Sequence, residues 1–182
     1  MVLLVVDTQE MVVTKDIYQY EEFINRVSHL IKAARASEVE VIYIRHEDGR
    51  ELVKGEKGFE IISEFAPMPG ERIFDKNINS AFGKSGLMDY LETKEQTDVM
   101  IVGLQTEYCI DATIKSGFER GFHMIFPEYC NSTVDNEFLN AKASYDYYNH
   151  KMWPKRYADC VSFEEAIEYI TKNLKKDIVD IK

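Results

Sequence analysis

Residues 2 to 6, Val-Leu-Leu-Val-Val, form an unbroken apolar run with β-branched members, closed by Asp7. A strand of this composition has no polar face, so it must be covered on both sides, as in a parallel α/β sheet. The apolar spacing then becomes helical. Phe23, Val27, Leu30, Ile31 and Ala34 share one face of a helix from Tyr20 to about Ser37, with Glu21 and Glu22 in the first turn, where the dipole favours acids. A second strand follows over Val39 to Ile44. The alternation continues with a strand at Arg72 to Lys76, a helix at Ser85 to Leu91 and a strand at Val99 to Gly103. A helix after Thr106 runs to about Gly121, a strand spans Phe122 to Phe126, and a helix spans Asn136 to Tyr148. A short strand at Ala158 to Val161 and a helix at Phe163 to Leu174, capped by Ser162, complete the series, and Lys175 to Lys182 read as a frayed or loosely docked end. Strands and helices alternating at these lengths imply parallel strands joined by right-handed crossovers.

The longest connection, Arg45 to Gly70, is rich in charge and contains Gly49, Gly55, Gly58, Pro67 and Pro69, with one helical turn predicted at Phe59 to Phe65. Connections of this length inside a compact domain tend to be functional. The 182 residues suit one domain, 1–182, large enough to bury a core without disulfides or a structural metal. Three cysteines, Cys109, Cys130 and Cys160, cannot all pair internally and form no C-x-x-C group. They predict a reducing, cytoplasmic setting. The N-terminal apolar run stops at Asp7, far short of a signal peptide or a membrane span. A net charge of −10 repels nucleic acid and anionic lipid, so neither is expected as a partner.

In an open α/β sheet the ligand site lies beyond the carboxyl ends of the strands, near the point where strand order reverses. Asp7, Lys76 and Cys109 stand at the carboxyl ends of the first, third and fourth predicted strands. Cys109 also begins a helix, where unpaired N–H groups and the dipole favour thiolate over thiol. A carboxylate, an ammonium and a thiol in one crevice suit nucleophilic catalysis: the carboxylate takes the thiol proton and the ammonium stabilises both anions. Each residue also has an ordinary structural reading. Asp7 can cap a turn, Lys76 can be a solvated charge, and Cys109 can be a small buried hydrophobe.

Three stretches carry a family resemblance: Leu3 to Gln9 (LLVVDTQ), Asp75 to Phe82 (DKNINSAF) and Val102 to Thr113 (VGLQTEYCIDAT). In order and spacing they resemble the motifs of the isochorismatase-like cysteine hydrolases, which include nicotinamidase and N-carbamoylsarcosine amidohydrolase. The resemblance covers nearly the whole chain. It implies an α/β, Rossmann-like, three-layer α-β-α fold with a six-stranded, mainly parallel sheet. It also implies that Asp7 is the general base, Cys109 the nucleophile and Lys76 the third catalytic residue. The activity implied is hydrolysis of a small carboxamide or ureido C–N bond through a thioester, with ammonia or an amine leaving first. The backbone N–H groups of Gln105 and Cys109 are the implied oxyanion donors, beside a cis peptide joining Leu104 to Gln105. Gln105 itself departs from the small residue expected there.

The resemblance implies no cofactor, a small-molecule amide substrate, and a homodimer or homotetramer. Gln9, His46, Phe82 and Tyr108 are the candidate pocket residues, with a surface loop for His46 and the core for Phe82 as alternatives. Nicotinamidases carry Asp-x-His and further histidines as metal ligands. Here Arg45-His46-Glu47-Asp48 is followed by no histidine until His123, so no metal is expected and nicotinamide is not the leading substrate. Tyr145, Tyr147, Tyr148 and Trp153 form either a subunit interface or a helix packed on the sheet. Two competing functions are a vinyl ether hydrolase, whose branch of the family works without a nucleophilic thiol, and a noncatalytic flavodoxin-like binding module. Gln9 stands where a receiver or an Asp-x-Asp phosphohydrolase needs its second acid.

Overall fold

The computed structural model describes residues 1–179, with side chains described through Lys172. Seven strands form one sheet: β1 (Val2–Val6), β2 (Glu40–His46), β3 (Arg72–Lys76), β4 (Asp98–Leu104), β5 (His123–Pro127), β6 (Asn131–Ser132) and β7 (Asp159–Val161). Their order is β3-β2-β1-β4-β5-β7, every pairing is parallel, and β6 pairs with the end of β4. The sheet therefore has one strand beyond the six expected, because β6 is only two residues long and carries no apolar run. Among the described residues the five α-helices are α1 (Tyr20–Ala36), α2 (Leu87–Thr93), α3 (Asp111–Glu119), α4 (Ala141–Tyr147) and α5 (Phe163–Val179). The last helix continues beyond Leu174, and the final three residues of the tail expected to fray lie outside the described residues.

The unbroken apolar runs are explained by burial on both faces. Leu3, Val5, Val41, Tyr43, Met100 and Val102 pack with α1 and α5, whereas Val2, Leu4, Val6, Ile42, Ile44, Val99 and Ile101 pack with α2 and α3. Side chains of one strand alternate between these two cores. A fully buried Val or Leu contributes about 1.5–3 kcal/mol, so the five residues of β1 anchor both layers at once. Trp153 and Tyr145 are also fully buried. The Trp153 indole N–H donates to Asp111 Oδ1 at 2.9 Å, and the Tyr129 N–H donates to Tyr145 Oη at 2.8 Å. Of the aromatic cluster in that region, those two residues belong to the packed interior, while Tyr147 remains about half exposed.

The strand order reverses between β1 and β4, with β2 and β3 to one side and β5 and β7 to the other. Gly103 makes the close approach at that point possible. It pairs with Val6 at φ +127°, and a Cβ there would lie 2.0 Å from the Val6 carbonyl oxygen. Any L side chain would push β4 away from β1 at the place where both strands deliver their terminal residues. Among the described residues, no helix is long and apolar enough to cross a membrane.

Candidate active site

Four strands send one polar side chain each to the carboxyl edge. Asp7 follows β1, His46 ends β2, Lys76 ends β3, and Cys109 lies beyond β4. The register explains the meeting of the middle pair, since His46 is directly opposite Lys76. One step earlier Arg45 is opposite Asp75 and on the other face, where the guanidinium bonds both carboxylate oxygens at 2.8 and 3.2 Å and lies over the Phe59 ring.

The Lys76 ammonium is the centre of the group. Its Nζ donates to Asp7 Oδ2 at 2.7 Å, to His46 Nδ1 at 3.0 Å and to Cys109 Sγ at 3.1 Å. An ammonium has three hydrogens and no acceptor, so these contacts use its full capacity. Nδ1 of His46 must accept, which places the ring proton on Nε2. Burial and the Lys76 cation both hold His46 below the usual imidazole range, consistent with that neutral form. Asp7, Lys76 and Cys109 are all buried.

Burial dominates the protonation of the other two. It raises Asp7 above the usual carboxylate range even though Lys76 opposes the shift. It also pushes the Cys109 thiol up to about 12, assisted by the Asp7 charge and opposed by Lys76. Burial and the Asp7 charge thus act against the thiolate that a helix start and the Lys76 ammonium favour. Cys109 lies in a wide π-turn, Thr106–Ile110, in which the Ile110 N–H reaches back to the Gln105 carbonyl, and α3 begins only at Asp111. Single π-turns of this kind recur at functional sites. The Leu104–Gln105 peptide is cis.

Asp7, His46 and Cys109 each offer a metal-binding atom, and these atoms lie within 4.8 Å of one another. The Lys76 ammonium already stands within hydrogen-bond distance of all three. A divalent ion would have to displace or deprotonate it, so the residues do not fit a metal at this point.

A cavity of about 320 Å³ opens onto this group. His46, Tyr108, Gln105 and Cys109 line it, as does Asp7, whose Oδ1 is buried without a hydrogen-bond partner. Two other predicted pocket residues do not line it. Phe82 is buried in the core and stacked on Phe122 at 5.0 Å between centroids, which bears out its alternative reading. Gln9 is fully buried, and its side-chain amide both donates to the His46 carbonyl at 2.9 Å and accepts from the His46 N–H at 2.7 Å. It clamps the loop after β1 to the end of β2, so it positions His46. Asn79, Asp48 and Glu51 line the cavity without having been singled out from the sequence. Asn79 Oδ1 lies 3.9 Å from Cys109 Sγ, and its place three residues after Lys76 in the second motif was the available signal.

The Isochorismatase domain family model matches residues 1–155. The chain is 29% identical over 105 residues to the secreted isochorismatase effector Isc1 of Verticillium dahliae, covering 56% of this chain and 55% of that protein. It is 27% identical over 135 residues to Nicotinamidase 3 of Arabidopsis thaliana, covering 65% of this chain and 68% of that protein. These matches thus span about half to two thirds of the relatives' own length. A crystal structure of an isochorismatase family protein superposes with a TM-score of 0.83 at 24% identity, covering 88% of this chain and 97% of that one, a likeness of fold.

Proposed function

The chain belongs to the isochorismatase family, and from that premise we propose that it is a cysteine-dependent amidohydrolase acting on the C–N bond of a small carboxamide or ureido compound. The observation that carries this reading is the cluster at the cavity floor: one ammonium bonded within 3.1 Å to a carboxylate, an imidazole and a thiol. A relative named for nicotinamide hydrolysis supports the same reaction class.

The chemistry follows from the resting charges. With Asp7 as the carboxylate, Lys76 as the ammonium and Cys109 as the thiol, moving the thiol proton to Asp7 leaves the charge of the cluster unchanged. That conservation makes the transfer feasible in a buried site, where creating net charge would be costly. The raised Asp7 carboxyl is also a stronger base than an ordinary one. As Cys109 Sγ bonds the carbonyl carbon, the oxyanion is stabilised by the backbone N–H groups of Gln105 and Cys109. Asp7 then returns the proton to the departing nitrogen as the C–N bond breaks, leaving a thioester. Water, deprotonated by Asp7, attacks the thioester; the C–S bond breaks, the proton held by Asp7 returns to the sulfur to restore the thiol, and the acyl group leaves as the carboxylic or carbamic acid. Lys76 holds both anionic partners in register throughout.

Ammonia or amine release from a panel of small amides tests the reading, with wild-type and Cys109→Ala protein compared under identical conditions. The variant should lose at least about 10³-fold in kcat/KM while keeping the wild-type circular dichroism spectrum. Turnover in Cys109→Ala close to wild type would remove the thiol from the mechanism.

A further inference from the structure

At the cavity floor the one carboxylate has the one ammonium as its partner. Asp7 and Lys76 stand 2.7 Å apart as an ion pair and offset one another. The charge that a bound molecule meets is therefore set by the walls, where Asp48 and Glu51 stand and where, among the described residues, no lysine or arginine lines the cavity. Of the basic residues in the same loop, Arg45 and Lys54 both bond Asp75, at 2.8 Å in each case, and Arg50, exposed between Asp48 and Glu51, is not among the residues that line the cavity.

Asp48 is built into place. Its Oδ1 accepts the backbone N–H groups of Arg50, Glu51 and Leu52 at 2.8, 3.0 and 2.9 Å, which leaves Oδ2 for another partner. Three such donors hold the carboxylate rigid. Those backbone N–H groups also keep the Asp48 carboxyl below the usual range. A second, separate observation lies deeper. Asp7 Oδ1 is buried, lines the cavity and has no partner, so the floor also lacks a hydrogen-bond donor that a ligand nitrogen can supply. Between floor and rim the wall is apolar, with Met11, Val12, Leu52 and Val134.

From these features we propose that the substrate is a cationic amide: a compound whose scissile nitrogen donates toward Asp7 Oδ1, whose hydrocarbon body lies along the apolar wall, and whose ammonium or guanidinium group is held by Asp48 and Glu51. This rests on the amidohydrolase reading and narrows it. A neutral amide leaves the two carboxylates unused, and an anionic ureido acid is repelled by them.

Two measurements test the proposal. In the first, kcat/KM is compared for amides matched in size and differing only in a terminal ammonium, hydroxymethyl or carboxylate group. The cationic member should lead, and the double variant Asp48→Asn/Glu51→Gln should lower its kcat/KM about tenfold or more while changing the neutral member by no more than about twofold. A neutral or anionic member cleaved as well as the cationic one would overturn the proposal. The second measurement needs no turnover. Cys109 is labelled with cationic, neutral and anionic alkyl methanethiosulfonates, a reaction in which its sulfur forms a disulfide and methanesulfinate leaves. Peptide mass mapping separates Cys109 from Cys130 and Cys160, with Cys109→Ala as the blank.

The cation-to-anion rate ratio should exceed that of a free thiol by about tenfold, and the double variant should bring it back toward the free-thiol value. A ratio equal to that of a free thiol, one unaltered by the two substitutions, or failure of all three reagents to label Cys109 would each defeat the proposal. If no amide is cleaved but the ratio behaves as expected, the amidohydrolase reading fails and the preference of the cavity for cations stands.

Discussion

Lys76 makes three contacts with one ammonium group, and its removal should be felt mainly through Asp7. The carboxylate already lies above its usual range because burial outweighs the attraction of Lys76. Without that cation its carboxyl must rise further. An acid whose folded-state pKa exceeds its unfolded value binds its proton more tightly when folded. The penalty is therefore absent in acid, develops as pH rises through the unfolded value, and is complete above the folded one. Lys76→Met should accordingly lose about 3–5 kcal/mol of stability near neutral pH, with a deficit that shrinks on acidification. Urea unfolding of wild type and variant at several pH values measures this. Asp7→Asn/Lys76→Met should recover much of the loss, since an amide has no charge to strand. A deficit that does not vary with pH would show that lost packing, and not a stranded carboxylate, is the cause.

At the scale of elements, His123 ties three adjacent strands together at the edge opposite the active site. It opens β5, its Nδ1 lies 2.9 Å from Asp98 at the start of β4, and its Nε2 lies 2.8 Å from Asp159 at the start of β7. The Asp159 contact raises its pKa most, burial opposes that rise, and the Asp98 contact adds to it. A base raised in this way contributes its full stabilisation below the unfolded imidazole value and loses it as pH climbs through the folded one. His123→Gln should therefore cost more at about pH 5.5 than at about pH 9, and by no more than about 1 kcal/mol, because the pair is 44% and more exposed and water screens it. Denaturant midpoints at the two pH values decide the matter, and an equal cost at both would show that the imidazolium is not what joins the strands.

Strands such as β1 and β4 were legible because their burial on both faces leaves apolar runs, and α1 because its buried positions keep helical spacing. The start of α4 was not. Asn136 Oδ1 accepts from the Phe138 and Leu139 N–H groups, and Asn140 caps the helix through Ala143, so the side chains at 136–140 hold a loop where the apolar spacing suggested a helix. The π-turn that carries Cys109 was hidden for a related reason, since one extra residue per turn leaves no mark in hydrophobic spacing. At the site, the residues at strand ends could be placed from order alone. Asp48 and Glu51 could not, because only the folded path of the connection between β2 and β3 brings them to the cavity wall.

The whole molecule adds a long-range field to the local one. Thirty-two acidic residues against twenty-two basic ones give a net charge of −10, and the cavity opens among carboxylates. A cation approaching from solvent is attracted over a distance set by the Debye length, about 10 Å at 0.1 M salt and about 30 Å at 0.01 M. If the substrate is cationic, kcat/KM should fall several-fold between roughly 0.01 and 0.15 M salt, while kcat, measured after binding, should change little. A neutral amide of the same size should show a flat profile, and a carboxylate analogue should rise with salt as repulsion is screened. Asp48→Asn/Glu51→Gln should weaken the dependence without abolishing it, because most of the net charge is elsewhere on the surface. Stopped or continuous assays across a salt series in one buffer distinguish the two contributions. The part of the slope that disappears in the variant belongs to the cavity rim, and the part that persists belongs to the molecule. A slope of the same sign and size for all three substrates would mean that salt acts on the protein itself, and electrostatic steering would then have no place in its catalysis.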